Sequence, residues 1–174
     1  MSIVSDEVLK KKYDQLYQKF VKGNFLEVIR ECNKILKKRK HQLFFNLLSI
    51  AYQKNGEIEK SIDVMREALA LNPNHPNFLN NIGTCFYKLH KYSIAKKYYE
   101  KGLKIDNRHL HILNNLGNLK RETNKIEESI KYYEEVLSIQ HDAIVTLFSL
   151  AGVYRISNKN EESKKYCKKI LELN

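Results

Sequence analysis

The chain has 174 residues, a formal net charge of +11 and 43% hydrophobic content. That apolar share excludes a disordered polymer, and no run of about 18 apolar residues offers a membrane-spanning helix. Six glycines and two prolines suit an all-helical chain, because both residues weaken helix interiors. The opening MSIVSDEVLKKKY lacks the apolar stretch of a secretory signal. Cys32, Cys85 and Cys167 are scattered, which predicts three reduced, core-filling thiols in a cytoplasmic protein and no clustered metal shell.

Residues 1–8 read as a lead-in, with Ser5 or Asp6 as a cap for the first helix. Five units follow over 9–174, each with two apolar stripes at helical spacing. In the first, 9–41, Tyr13, Leu16, Tyr17 and Phe20 precede a turn at Lys22-Gly23-Asn24, and Phe25, Val28, Ile29, Cys32, Ile35 and Leu36 follow it. The cations Lys37, Lys38, Arg39 and Lys40 then favour the negative end of a helix dipole. The second unit, 42–75, places Phe45, Leu48 and Tyr52 before Asn55-Gly56, and Ser61, Met65 and Ala68 after it. The third, 76–109, opens on Pro76, a favoured first helical residue; Leu79, Ile82, Phe86 and Leu89 form one stripe, and Ile94, Ala95, Tyr98, Tyr99 and Leu103 the other. The fourth, 110–143, repeats this spacing with Leu113, Leu116 and Gly117, a turn at Asn124-Lys125, then Ser129, Tyr133 and Leu137. The fifth, 144–174, has Leu147, Leu150 and Tyr154, then Ser163, Cys167 and Leu171, with Asp142 as its expected cap.

Self-similarity at this period marks stacked helix pairs that cover one another. The pattern resembles the tetratricopeptide repeat, a 34-residue helix-turn-helix with a bulky residue, Leu-Gly, Tyr, Ala, an aromatic and Pro at fixed places. Leu79, Ile82-Gly83, Phe86, Ala95 and Tyr99 fill those places in the third unit, Asn107 standing for the proline; Pro73 holds that position in the second. The resemblance implies an all-α, right-handed superhelical solenoid of about five units. Gly83 and Gly117 are then expected where the two helices of a unit approach closely.

The resemblance also implies a concave groove lined by the first helix of each unit, on the face opposite the packing stripe. The residues placed there are Leu43, Asn46, Leu47, Ile50 and Gln53; Asn77, Asn80, Asn81, Thr84, Tyr87 and Lys88; His111, Asn114, Asn115, Asn118, Arg121 and Glu122; and Val145, Phe148, Ser149 and Arg155. Asparagine amides both donate and accept, so Asn80-Asn81 and Asn114-Asn115 could pair with a peptide backbone whatever its side chains. This resembles the asparagine ladder of O-linked N-acetylglucosamine transferases; the bland reading is tolerated polar surface or bonds across repeats. The candidate groove is therefore Asn46, Asn77, Asn80, Asn81, Thr84, Tyr87, His111, Asn114, Asn115, Asn118, Arg121 and Arg155. The family's carboxylate clamp is not matched, since Val145 and Ser149 stand where it needs cations.

Lys96, Lys97, Lys101, Lys104, Lys131, Lys164, Lys165, Lys168 and Lys169 fall on second helices and read as a solvated convex face, so nucleic acid is not the expected partner. His109 and His111 lack further ligands for a metal. No nucleophile–base pair or glycine-rich phosphate loop appears, so no catalysis and no cofactor is expected. The expectation is a protein or peptide partner, with self-association through an apolar edge at Cys167, Ile170 and Leu171. The alternatives are the repeat segment of a larger glycosyltransferase- or sulfotransferase-type enzyme, and nucleic-acid binding through the basic surface.

Overall fold

In the computed structural model, which describes residues 6–173, the chain is all-α, with ten helices among the described residues. They fall into two compact units, Met1–Lys91 and Tyr92–Asn174. The first holds α1 (Asp6–Val21), α2 (Phe25–Lys38), α3 (Gln42–Lys54), α4 (Ile58–Leu71) and α5 (Pro76–Lys88). The second holds α6 (Tyr92–Ile105), α7 (Leu110–Glu122), α8 (Ile126–Ile139), α9 (Ile144–Ile156) and α10 (Asn160–Glu172).

The period is written into the turns. Gly23, Gly56, His90, Asn124 and Asn158 recur every 33 or 34 residues, each with φ between 56° and 83°. That left-handed conformation is open to glycine and easiest among the rest for Asn and His. Each sits just past a first helix and closes a Schellman motif. In the α7–α8 turn, the Lys125 amide donates to the Lys120 carbonyl at 2.8 Å and the Asn124 amide to the Arg121 carbonyl at 3.0 Å. The equivalent pair around Gly23 measures 3.0 Å for both bonds. Every first helix therefore stops at the same place in its repeat.

Within the first unit α3 packs on α1, α2, α4 and α5; within the second, α7 packs on α6, α8 and α9, and α9 on α10. The apolar stripes expected from spacing form the cores. Phe45, Leu48, Met65, Leu79 and Ile82 are buried in the first unit, and Leu113, Leu116, Tyr133, Leu147 and Leu150 in the second. A small residue lies where paired helices meet. The Ser61 hydroxyl donates to the Ser49 carbonyl at 3.0 Å, Ser129 to the Gly117 carbonyl at 2.8 Å, and Ser163 to the Ala151 carbonyl at 2.9 Å. At Gly117 the approach is close: an added Cβ would sit 2.6 Å from Cε1 of the buried Tyr133 ring.

Several expectations need correction. The cap proposed at Ser5 lies outside the described residues, while Asp6 is already helical and pairs with Arg39 at 2.8 Å. Asp142 does not cap α9; Ala143 occupies that place without a side-chain bond. Leu47, assigned to the groove, is fully buried. Cys32 and Cys85 are buried as expected, but Cys167 is exposed. Ile170 is 4% exposed and belongs to the core, whereas Leu171 is 77% exposed, so the edge expected for self-association shrinks to one flank of α10.

Two glycine replacements separate close approach from helix propensity. Gly117→Ala gains about 1 kcal/mol of propensity but meets a fixed ring, an overpacking that costs about 1–3 kcal/mol. At Gly152, in α9, an added Cβ meets nothing within 4 Å. Thermal melts should show Gly117→Ala unfolding below the parent and Gly152→Ala above it; matching shifts would refute the packing assigned to Gly117.

Candidate functional site: the polar faces of the first helices

The candidate residues fall into two sets, one in each compact unit. On α3 and α5 they are Asn46, Asn77, Asn80, Asn81, Thr84 and Tyr87; on α7 and α9 they are His111, Asn114, Asn115, Asn118, Arg121 and Arg155. In the first unit the asparagines bond to one another. Asn80 Nδ2 donates to Asn81 Oδ1 at 3.3 Å, and Asn81 Nδ2 donates to Asn46 Oδ1 at 2.9 Å, bridging α5 and α3. The Thr84 hydroxyl donates to the Asn80 carbonyl at 2.9 Å, and Asn80 is buried. Bonds across repeats are thus present, and Asn81 serves as a tie between neighbouring first helices as well as a surface amide. Each amide has four bonding positions, so this tie uses only part of Asn81's capacity.

The second unit is different. The Thr146 hydroxyl donates to Asn114 Oδ1 at 3.0 Å, joining α9 to α7, and the Tyr133 hydroxyl donates to Asn118 Oδ1 at 2.7 Å. Burial pushes the Tyr133 hydroxyl above its usual pKa, so it remains a donor. Beside this amide-rich face of α7, α9 carries an apolar stripe. Val145 is 73% exposed, Phe148 60% and Ile156 59%, with Gly152 leaving open space along the same line. Arg155 is exposed beside them. The sequence signal for this stripe is that α9 is apolar on all sides, which a helix with one buried face does not need.

Sequence reasoning also missed Lys120, which stands where Tyr52, Phe86 and Tyr154 stand in their repeats. It is buried, and its ammonium crosses the turn to the Glu128 carboxylate. Lys19 and Glu27 pair the same way at 2.6 Å, also eight residues apart, while Lys60 instead lies 5.8 Å from the Tyr52 ring centroid. The hydrogen bond from Lys120 holds the Glu128 carboxyl below its usual pKa.

With this geometry in hand the chain can be set beside known proteins. The sequence profile described as "Psidin, N-terminal TPR repeats region" matches residues 10–119, and that of the tetratricopeptide repeat matches 110–142 and 145–174. The chain belongs to the tetratricopeptide repeat family. No curated protein matches the sequence of this repeat protein. Its fold is similar to that of MamA from Desulfovibrio magneticus, at 17% identity and TM-score 0.71, covering 94% of this chain and 93% of that one. It is also similar to PilF of Pseudomonas aeruginosa, at 17% identity and TM-score 0.81, covering 97% and 78%. A thermophilic repeat protein of Thermus thermophilus is 12% identical at TM-score 0.85, covering 94% and 90%. Among the described residues no helix of the repeat array is long and apolar enough to cross a membrane, and no three His, Cys, Asp or Glu side chains gather as a metal site.

The Lys120–Glu128 pair predicts a pH effect with a definite sign. Because the folded carboxyl titrates below its unfolded value, the pair stabilises fully above the ordinary carboxylate range and loses its contribution as pH falls through the folded pKa. Lys120→Met should melt like the parent or higher at pH 7, since it removes a buried charge while Glu128, 47% exposed, keeps solvent and Lys125 at 3.5 Å. Its stability should also fall less than the parent's below roughly pH 4. Acid titrations followed by circular dichroism check this, and an equal loss of stability in the two proteins below roughly pH 4 would exclude this role for the pair.

Proposed function

We propose that this repeat protein is a non-catalytic interaction module that holds an extended peptide along the faces of its first helices. The observation that carries the proposal is the α7–α9 surface of the second unit. Asn114, Asn115 and Asn118 offer backbone-pairing amides on one helix, and Val145, Phe148 and Ile156 offer exposed apolar area on the next. The two strips adjoin, since Thr146 bonds Asn114 and α7 packs on α9. A peptide lying between them would pair its backbone with the amides, each bond contributing about 0.5–1.5 kcal/mol. It would also bury apolar side chains against α9, at about 25 cal/mol per Å². Arg121 and Arg155 lie on the same two helices and would favour an acidic residue in the peptide. In the first unit the α3–α5 face is a separate amide-bearing strip, in which Asn46 and Asn81 are pre-ordered by their mutual bond.

The test is selection of binders from a phage-displayed random dodecamer library. Phe148→Ser should weaken the selected peptides at least tenfold, equivalent to about 1.4 kcal/mol, and Asn115→Ala should weaken them less. Helix content should be unchanged in Phe148→Ser, because that side chain is mostly in solvent. Peptides that bind Phe148→Ser as tightly as the parent would remove the α9 stripe from the site.

A further inference from the structure

The second unit has another concavity, formed by its second helices. Among the described residues the backbones of α8 and α10 do not pack on each other; each packs on α9 instead. Between them lies a groove of about 570 Å³. Its floor is apolar, made by Leu137 and by Tyr166, whose ring stacks on Tyr154 at 5.6 Å with 7° between planes. The α10 wall carries Lys165, Lys168 and Lys169; the α8 wall carries Glu134, and Glu172 stands at the end of α10. Among the described residues no carboxylate lies within ion-pair distance of those three lysines, whereas Lys164, outside the groove, pairs with Glu161 at 2.8 Å.

The repeat supplies an internal comparison. One unit earlier, a concavity of about 410 Å³ is lined by Glu100, Leu103 and Lys104, which are the counterparts of Glu134, Leu137 and Ser138. In register with Lys165, Tyr166, Lys168 and Lys169, α8 carries Lys131, Tyr132, Glu134 and Glu135. The aromatic and the first lysine are kept, and two acids become two cations. In the first unit the same register of α4 reads Asp63, Val64, Arg66 and Glu67, where Arg66 pairs with Asp63 and Glu67 with Lys40. On α6 the same register reads Lys97, Tyr98, Glu100 and Lys101, with Glu100 paired to Lys96, so one acid is kept there too; of α4, α6, α8 and α10, only α10 places lysine at all three positions around the aromatic.

We infer that the α8–α10 groove docks two turns of an acidic amphipathic helix from another protein, its apolar side chains on Leu137 and Tyr166 and its carboxylates toward Lys165, Lys168 and Lys169. A peptide can present acids on one side only. A nucleic-acid backbone carries charge along its whole length and would bring phosphates against Glu134 and Glu172. This surface is separate from the first-helix faces and does not depend on them.

The test is fluorescence anisotropy at 150 mM salt with three probes: a labelled amphipathic peptide of glutamate and leucine, a single-stranded RNA of equal charge, and phosphatidylserine vesicles. The parent is compared with a triple Lys165→Glu, Lys168→Glu, Lys169→Glu variant and with a Lys97→Glu, Lys101→Glu, Lys104→Glu variant of equal net charge on α6. The α10 variant should lose at least tenfold in peptide affinity, and the α6 variant less than twofold. Equal losses, no peptide binding by the parent, or tighter binding of RNA or vesicles would each overturn the assignment.

Discussion

The hydroxyl of Ser129 reaches across a helix pair to the Gly117 carbonyl at 2.8 Å, and the Tyr133 ring comes so close that a Cβ added at Gly117 would lie 2.6 Å from it. The remaining packing follows from this approach. A serine can come this close to a neighbouring backbone because its hydroxyl bonds a carbonyl in a place where water is excluded. Ser61 over Ser49 and Ser163 over Ala151 repeat the arrangement within their own units. Once two helices touch there, the bulky residues on either side of the contact must interdigitate, and they bury Leu116, Tyr133 and Leu150 completely.

That division of labour explains why recognition is expected on the opposite face. Within each compact unit, one side of a first helix such as α3 or α7 is committed to the helices packed around it. The other side can change residue type at little cost to stability, and it does. It is amide-rich on α5 and α7, and it turns apolar on α9, where Val145 and Phe148 stand in solvent. The same freedom acts on the outer faces of the second helices, where α10 replaces the acids of α8 with lysines.

Much of the fold was legible in the sequence, because it rests on spacing. The period and the turns at Gly23, Gly56 and Asn124 follow from residues at fixed intervals, and Pro76 sits where helix-start chemistry puts it, whereas the equivalent turn at Asn158 was not read. The candidate site was legible only as a face. Spacing assigned Leu47 to the groove, but contact with helices on either side buries it, a tertiary effect invisible to a single-helix stripe. Ile170 was assigned to an open edge, but its register turns it inward while Leu171 points out. Lys120 broke the aromatic pattern, and its partner Glu128 became evident only once the turn brought them together. The asparagines were read as ligand groups, yet Asn46 and Asn81 already bond each other, because neighbouring first helices lie close enough for two amides to meet.

The central claim is that the amides of α7 and the apolar stripe of α9 together form a peptide-binding surface. The most direct measurement is a nitrogen–proton correlation spectrum of the labelled protein titrated with a library-selected peptide, reading the side-chain amide resonances of the asparagines. The account predicts that the Asn114, Asn115 and Asn118 side-chain signals move together with the backbone signals of Val145 and Phe148, in one saturable transition. Saturable binding that leaves those signals in place, and moves only residues of other helices, would contradict it.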